Sequence, residues 1–164
     1  MSASTTMLAS PVGPLRLVGD GTALTAVEFS GGLVTEKATA TQDPLLVEAR
    51  RQLVAYFAGE LREFDLPLAP SGTEFQLRVW EQLRRIPFGT TASYGDIAAR
   101  LGMPPGASRA VGLANGANPL AIIVPCHRVI GSDGTLVGYG GGLLRKRFLL
   151  SLEAPTVQDS LFGD

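Results

Sequence analysis

Short apolar segments separated by turn residues fill the beginning of the chain. Residues 7–9, 15–18 and 23–29 are apolar or alternate between apolar and polar positions, and Pro, Gly and Asp lie between them. Such segments, with turn residues at their ends, predict three short strands. Residues 30–43 show no period, so we expect a loop there.

A helical period replaces the strand pattern after Asp43. Asp43 can cap a helix, and Pro44 suits its first position. Apolar side chains then recur at helical spacing up to Gly59, which can end the helix. Residues 63–68 alternate, but Pro67 restricts them to an edge strand or an extended linker.

A second helical region begins at Thr73, which has the capping-box spacing to Gln76. The apolar face of this helix consists of Phe75, Val79, Trp80 and Leu83. Another helix is predicted over residues 143–153. Its inner face is expected to hold Leu144, Phe148, Leu149 and Leu152, with Arg145, Lys146 and Arg147 facing outward.

Two short helices are predicted between these regions, over residues 93–101 and 107–115, around a turn at 103–106. Short helices joined by a tight turn are typical of a helix-turn-helix. Small side chains on the second helix would let its backbone approach a DNA groove, and Arg109 is its one long side chain. A helical hairpin packed for stability alone is the alternative.

The whole pattern predicts an α+β protein. A small sheet-plus-helix domain over residues 1–71 precedes a mainly helical domain over residues 72–153, which contains the helix-turn-helix. Residues 154–164 are polar and are predicted to form a disordered tail.

The charge differs between these two domains, although the chain as a whole carries only −1. Residues 1–71 hold five Lys or Arg and eight Asp or Glu, which gives −3, whereas residues 72–153 hold nine and five, which gives +4. The tail adds −2 from two Asp. A basic second domain suits a polyanionic partner, and a mixed solvated surface is the alternative.

A single cysteine, Cys126, leaves no internal disulfide and favours a reducing compartment. Residues 1–6 lack the basic and apolar regions of a secretory signal, and no apolar run reaches membrane-spanning length. We therefore expect a cytoplasmic protein without a membrane partner.

The one cysteine and the one histidine, Cys126 and His127, are adjacent within an apolar run over residues 122–130. A cysteine is a nucleophile as its thiolate, and a histidine can remove its proton. Here a water would bridge them, because neighbouring side chains on an extended segment point apart. A structural cysteine beside a packed histidine is the alternative. One Cys and one His do not make a tetrahedral zinc site, so neither a metal nor another cofactor is expected.

The sequence Pro125-Cys126-His127-Arg128-Val129 resembles the active-site signature of the methylated-DNA–protein-cysteine methyltransferases, which repair 6-O-alkylguanine. Further motifs agree with that family in order and spacing: Ser93-Tyr94, Ser108-Arg109-Ala110-Val111-Gly112, Asn118-Pro119, Gly138-Tyr139 and Glu153. The resemblance covers about residues 73–153, and the first domain fits the family in outline.

This resemblance implies a DNA repair enzyme that flips a base and acts once. Cys126 would take the alkyl group from 6-O-alkylguanine, or from 4-O-alkylthymine, and keep it. His127, oriented by Glu153, would accept the thiol proton through a water. Tyr94 would donate a proton to the departing guanine, and Asn118 would brace the turn beneath the nucleophile.

The same resemblance implies how DNA is held. The helix that carries Arg109, Ala110 and Gly112 would enter the minor groove. Arg109 would fill the gap that the extruded nucleotide leaves in the base stack. Binding of this kind needs little net charge, so the overall −1 does not argue against it.

A pocket for the flipped base is implied as well. Tyr94, Val129 and Tyr139 would line it, and the carbonyls of Cys126 and Val129 would accept from the guanine amino group. Tyr139 could instead anchor its own loop. Arg128, which lies between apolar residues, is predicted to be a buried ion-pair partner rather than a DNA contact.

The tail residues Gln158, Leu161 and Phe162 resemble the short peptide by which bacterial proteins bind the replication sliding clamp. Asp159 departs from the leucine that is usual there. An ordinary tail without a partner is the alternative.

Two other functions are compatible with the residues. A helix-turn-helix regulator would tolerate Cys126→Ser, and a cysteine hydrolase would turn over repeatedly and need an oxyanion hole. The leading hypothesis is a single-turnover DNA alkyltransferase that acts as a monomer.

Overall fold

Within residues 3–136, 139 and 141–155, which the computed structural model describes, the chain begins with three antiparallel strands. They pair in sequence order: β1 (Ser4–Leu8), β2 (Leu15–Gly19) and β3 (Leu24–Phe29). On the central strand, Leu15 and Leu17 are fully buried and alternate with exposed or half-buried neighbours. One face of the sheet is therefore covered. The three predicted strands are present, although the first runs over Ser4–Leu8 rather than residues 7–9.

The next elements are the helices α1 (Glu36–Thr39) and α2 (Pro44–Phe57). The prediction of a loop over residues 30–43 is wrong in part, because α1 lies within it. Thr35 caps this short helix by accepting from the Ala38 amide, a local bond that hydrophobic periodicity does not reveal. The α2 helix begins as predicted, since the Asp43 carboxylate accepts from the Leu45 amide at 3.0 Å.

Among the described residues, the second half of the chain holds four helices: α3 (Glu74–Arg84), α4 (Tyr94–Arg100), α5 (Ser108–Gly116) and α6 (Leu143–Glu153). It also holds two short parallel strands, β4 (Ala92–Ser93) and β5 (Val129–Ile130). Both predicted N-terminal caps form capping boxes, at Thr73 before α3 and at Ser93 before α4. The predicted α+β class is confirmed.

None of the helices in the described ranges combines the length and the apolar character that crossing a membrane requires. The longest of them, α2, has 14 residues. About 20 apolar residues are needed to span the hydrocarbon core of a bilayer.

Strand β3 joins the sheet to the second half of the chain. The Val27 amide donates to the Pro119 carbonyl at 2.9 Å, and the Ala121 amide donates to the Val27 carbonyl at 3.1 Å. Leu120, between these two contacts, is fully buried in a core that both halves share. The segment that leads to Cys126 is therefore fixed to the edge of the N-terminal sheet.

Helix α6 differs from its predicted orientation. Lys146, predicted to face outward, is fully buried, whereas Leu144, predicted to face inward, is 80% exposed. Phe148 also lies at the surface, and Leu149 faces inward as predicted. The buried side is set by Lys146, Leu149 and Glu153, which follow one another at i, i+3 and i+7 along one face.

Candidate active site

Cys126 begins a single 3-10 turn, Cys126–Arg128, where the sequence predicts an extended segment. Just before it, Ile122 adopts a φ of 73°, a left-handed conformation that costs a β-branched residue about 1–3 kcal/mol. Asn118 holds the strained segment: its Nδ2 donates to the Val124 carbonyl at 2.8 Å, and its Oδ1 accepts from the Leu120 amide at 3.0 Å. Asn118 thus fixes the backbone from which Cys126 projects.

A cavity of about 220 Å³ opens beside Cys126, which is itself 6% exposed. Tyr139 forms one wall and packs edge-on against Phe29 of β3, with ring centres 6.0 Å apart. Gly141 lies against both rings, because a Cβ atom there would lie 2.5 Å from Phe29 and 2.8 Å from Tyr139. The N-terminal sheet therefore supplies part of the wall beside the cysteine.

Two residues predicted to line the base pocket, Tyr94 and Val129, lie outside the walls of this cavity. Val129 is fully buried, and its carbonyl accepts from Lys146 Nζ at 2.5 Å. Tyr94 is half-buried at the start of α4. Burial and the nearby Cys126 raise its pKa, so the Tyr94 hydroxyl keeps its proton at neutral pH.

The surroundings of the Cys126 thiol favour its protonated form. Burial raises its pKa, and hydrogen bonding by Asn118 and the charge of Lys146 oppose this effect only in part. Because only the thiolate is a good nucleophile, the thiol needs a base within reach at the moment of reaction.

Three side chains converge on the carboxylate of Glu153, and we call Tyr56, His127, Arg128 and Glu153 the Glu153 cluster. His127 Nε2 lies 2.7 Å from Oε2, and the Tyr56 hydroxyl donates to the same oxygen at 2.6 Å. Arg128 donates from Nε to Oε1 at 2.7 Å and from Nη2 to Oε2 at 3.0 Å. All four residues are buried, and the buried ion pair predicted for Arg128 is confirmed.

These contacts set the protonation of the cluster. Burial alone would raise the pKa of Glu153, but hydrogen bonds from His127 and Arg128 outweigh it and lower the pKa to about 2. An ionised carboxylate only accepts, so His127 Nε2 carries the hydrogen. Burial lowers the pKa of His127 and keeps its ring neutral. Within the described ranges, Nδ1 of that ring has no hydrogen-bond partner, and it is the atom that can take up a proton.

Two more buried polar atoms beside Cys126 lack a hydrogen-bond partner among the described residues. They are Asn115 Oδ1 and the Tyr139 hydroxyl, and both residues line the cavity. Asn115 also donates from Nδ2 to the Cys126 carbonyl at 3.4 Å. Because buried polar groups are usually paired with protein or with water, these two atoms are available to a water or to a ligand with polar edges.

Helix α5 presents Arg109 and Ala110 on its exposed face, where Leu113 is also 73% exposed. On the inner side, Gly112 lies over the ring of Tyr94, since a Cβ atom added there would lie 3.7 Å from Tyr94 Cε1. The outer face of α5 therefore carries Arg109 and Leu113 beside the small Ala110, and its inner face lies close to the ring of Tyr94.

Three residues of the site are missed by the sequence patterns: Tyr56, Asn115 and Lys146. The burial of Lys146 could have been predicted from its spacing to Leu149 and Glu153, because this spacing places all three residues on one helix face. Tyr56 and Asn115 lie on the apolar faces of their helices, and nothing in the local pattern indicates their polar partners.

A protonated thiol next to a neutral base suits an enzyme that ionises its cysteine only when a substrate is present, and such a pair is compatible with thiol-dependent group transfer. In the described ranges, no group of three or more His, Cys, Asp or Glu side chains is placed to hold a metal. Comparison with known proteins narrows this class.

The chain belongs to the 6-O-methylguanine DNA methyltransferase family and is accordingly a transferase. The model of the family's DNA-binding domain matches residues 74–155, and the model of its ribonuclease-like domain matches residues 4–70.

Relatives of the chain cover most of its length. The methylated-DNA–protein-cysteine methyltransferase of Methanosarcina acetivorans is 54% identical over 147 residues, which are 88% of this chain and 94% of that protein. That of Mycobacterium tuberculosis is 58% identical over 146 residues, which are 88% of each. The crystal structure of Mycobacterium tuberculosis OGT in complex with DNA matches with a TM-score of 0.81 at 53% identity, covering 98% of this chain and 99% of that one.

His127 is expected to titrate below the value of about 6.5 that is usual for histidine, because the fold holds it neutral. Below about pH 6.5, the unfolded chain therefore binds a proton at His127 that the folded chain does not bind. The contribution of His127 to the free energy of unfolding is fully present above about pH 6.5, and it is lost as the pH falls below that value, by up to about 1.4 kcal/mol per pH unit.

Urea unfolding between about pH 7 and pH 5.5 measures this slope. The chain contains one histidine, so His127→Asn is a clean control that should flatten it. If the free energy of unfolding depended on pH equally in the wild type and in His127→Asn, the lowered pKa of His127 would be contradicted.

Proposed function

We propose that the chain repairs alkylated DNA by transferring the alkyl group of 6-O-alkylguanine to the thiol of Cys126. The observation that carries the proposal is a buried, protonated Cys126 directly followed by His127, whose ring is neutral and is held by Glu153. The names of the relatives and the complex of the Mycobacterium tuberculosis protein with DNA support the same substrate and partner.

The proposed reaction is an in-line displacement. The thiol proton of Cys126 passes through a water to His127 Nδ1, and the Glu153 carboxylate stabilises the imidazolium that forms. The sulfur bonds to the alkyl carbon while the bond from that carbon to the guanine oxygen breaks. Tyr94 donates its proton to the departing guanine, and the proton held by His127 then restores Tyr94. The products are an S-alkylcysteine and an unmodified guanine.

The proposed product explains a single turnover. A thioether is not hydrolysed at neutral pH, and a carbon–sulfur bond offers no good leaving group to a second nucleophile. Each chain would therefore transfer one alkyl group and be consumed.

Burial of the nucleophile supports base flipping. Cys126 is 6% exposed, so a base that stays stacked in a duplex cannot reach its sulfur. Extruding a base costs a few kcal/mol, and a weakly paired alkylated base lowers that cost. 4-O-alkylthymine, with its alkyl group on an equivalent oxygen, would be a second substrate.

The proposed DNA contact is the helix-turn-helix formed by α4 and α5, placed in the minor groove. Arg109 is exposed on α5 and would fill the gap in the base stack. Ala110 and Gly112 would allow close approach of the helix backbone. Because Gly112 faces the ring of Tyr94, with room for little more than a Cβ atom between them, this surface would lie close to the reacting groups.

Two further hypotheses concern partners. The contact with a sliding clamp rests on Gln158, Leu161 and Phe162, which lie outside the described residues, and it stays a prediction. The monomeric state stays a prediction as well.

Transfer should leave a covalent mark. After mixing with an oligonucleotide that contains 6-O-methylguanine, intact-mass analysis should show the gain of one methylene on Cys126, and at most one per chain. Cys126→Ser is the control and should gain nothing. A wild-type chain that stays unmodified in excess substrate would overturn the proposal.

Arg109→Ala should slow transfer from duplex DNA by at least about tenfold, because the flipped state loses the side chain that fills the stack. Transfer from the free base 6-O-methylguanine needs no flipping and should be unchanged. Arg147→Ala, another exposed arginine, is the matched control and should retain both activities. Equal loss with both substrates would argue against the role of Arg109.

Tyr94→Phe should slow transfer by about 100-fold, the usual size of a general-acid contribution. DNA affinity should stay the same, because the hydroxyl acts on the leaving base. Single-turnover rates and binding measured in a Cys126→Ser background separate the two quantities. An unchanged rate would rule out proton donation by Tyr94.

A further inference from the structure

We infer that Tyr56 of α2 is a positioning residue for the transfer reaction: its hydroxyl fixes the Glu153 carboxylate and limits how strongly that carboxylate draws the His127 proton. The inference rests on the proposed function, because it assigns His127 as the base for Cys126. Through Tyr56, the N-terminal half of the chain would contribute to the transfer reaction. The sequence of that half shows no catalytic constellation.

The geometry of the Glu153 carboxylate carries the inference. Oε2 is the shared acceptor for the Tyr56 hydroxyl at 2.6 Å, His127 Nε2 at 2.7 Å and Arg128 Nη2 at 3.0 Å. Because donors to one oxygen share the same charge, the bond from Tyr56 weakens the pull of that oxygen on His127.

Packing aims the Tyr56 hydroxyl at this oxygen. The residue is 1% exposed, so water does not replace the contact. Its ring lies edge-on to Phe88, with centres 6.4 Å apart, and tilted against Phe64 at 5.4 Å. Tyr56 shares α2 with Leu53, which is fully buried in the common core. The position of α2 on the sheet therefore sets the position of the hydroxyl.

Tyr56 also stays a donor under all working conditions. Burial and the Glu153 charge raise its pKa, so the phenol keeps its proton. The other charged and titratable groups around His127 are Glu153 and Lys146 from α6, Arg128 from its own turn, and the Cys126 thiol. The positive charges of Arg128 and Lys146 disfavour an imidazolium. Tyr56 acts in the same direction by withdrawing charge from Glu153.

Changes in Tyr56 donor strength should therefore move the His127 titration in opposite directions. Tyr56→Phe removes the donor, and the His127 pKa should rise by about one half to one unit relative to wild type. 3-Fluorotyrosine placed at position 56 is a more acidic phenol and a stronger donor, so the same pKa should fall. The ring C–H signals of the one histidine in the chain report both values by NMR.

The acid limb of the alkyl-transfer rate should follow the histidine, shifting to higher pH in Tyr56→Phe and to lower pH with 3-fluorotyrosine. Phe64→Leu is the matched control, because it loosens the same aromatic packing without touching Glu153. This variant should lower the free energy of unfolding, and it should leave both the His127 pKa and the acid limb of the transfer rate unchanged.

A purely structural role for Tyr56 would give shifts of the same sign in both variants or no shift, and either result would overturn the inference. If the wild-type chain transfers no alkyl group at any pH, the proposed function is wrong. The NMR titration then still decides whether Tyr56 controls His127.

Discussion

One buried charge, the Glu153 carboxylate, links the two halves of the chain. An ionised carboxylate is costly to bury unless donors satisfy it, and here the donors come from α2, through Tyr56, and from the turn that carries His127 and Arg128. Removing one of these elements would leave the charge underpaired at the end of α6. The contacts that satisfy this buried charge are thus the same contacts that would orient His127 in the proposed reaction.

The position of Cys126 depends on a second long-range constraint. The left-handed backbone conformation of Ile122 is strained, and an isolated loop would relax out of it. The strained conformation persists because the Asn118 side chain hydrogen-bonds to the backbone within this segment, and because β3 hydrogen-bonds to the backbone of residues 119–121. The N-terminal sheet therefore does more than cover the second half: through Phe29 it also supports the wall in front of Cys126.

Local signals predicted the elements well. The caps at Asp43, Thr73 and Ser93 all form, because each depends on residues within three positions. The partner of Tyr56 lies 97 residues away, and no periodic pattern contains that information. The prediction for Lys146 is wrong for a different reason. Its charge favours a position in solvent, but the Val129 carbonyl accepts a hydrogen bond from its ammonium group and compensates for its burial. The buried polar contacts of Tyr56 and Lys146, which depend on partners far along the chain, are therefore the part of the site that local patterns did not predict.

Burial of the thiol has a chemical advantage in the proposed reaction. An exposed thiolate of low pKa is open to oxidation and to any soluble alkylating agent, and an acceptor that is consumed by one transfer would be wasted on such encounters. Cys126 is instead buried, its burial raises the pKa of the thiol, and the proposed base, His127, has its Nδ1 without a hydrogen-bond partner among the described residues. In the proposed reaction, the thiol would become reactive only when a base that fits the cavity brings an alkyl carbon to it. Specificity would then arise from access to Cys126, and the weak intrinsic reactivity of the thiol would protect the chain until that encounter.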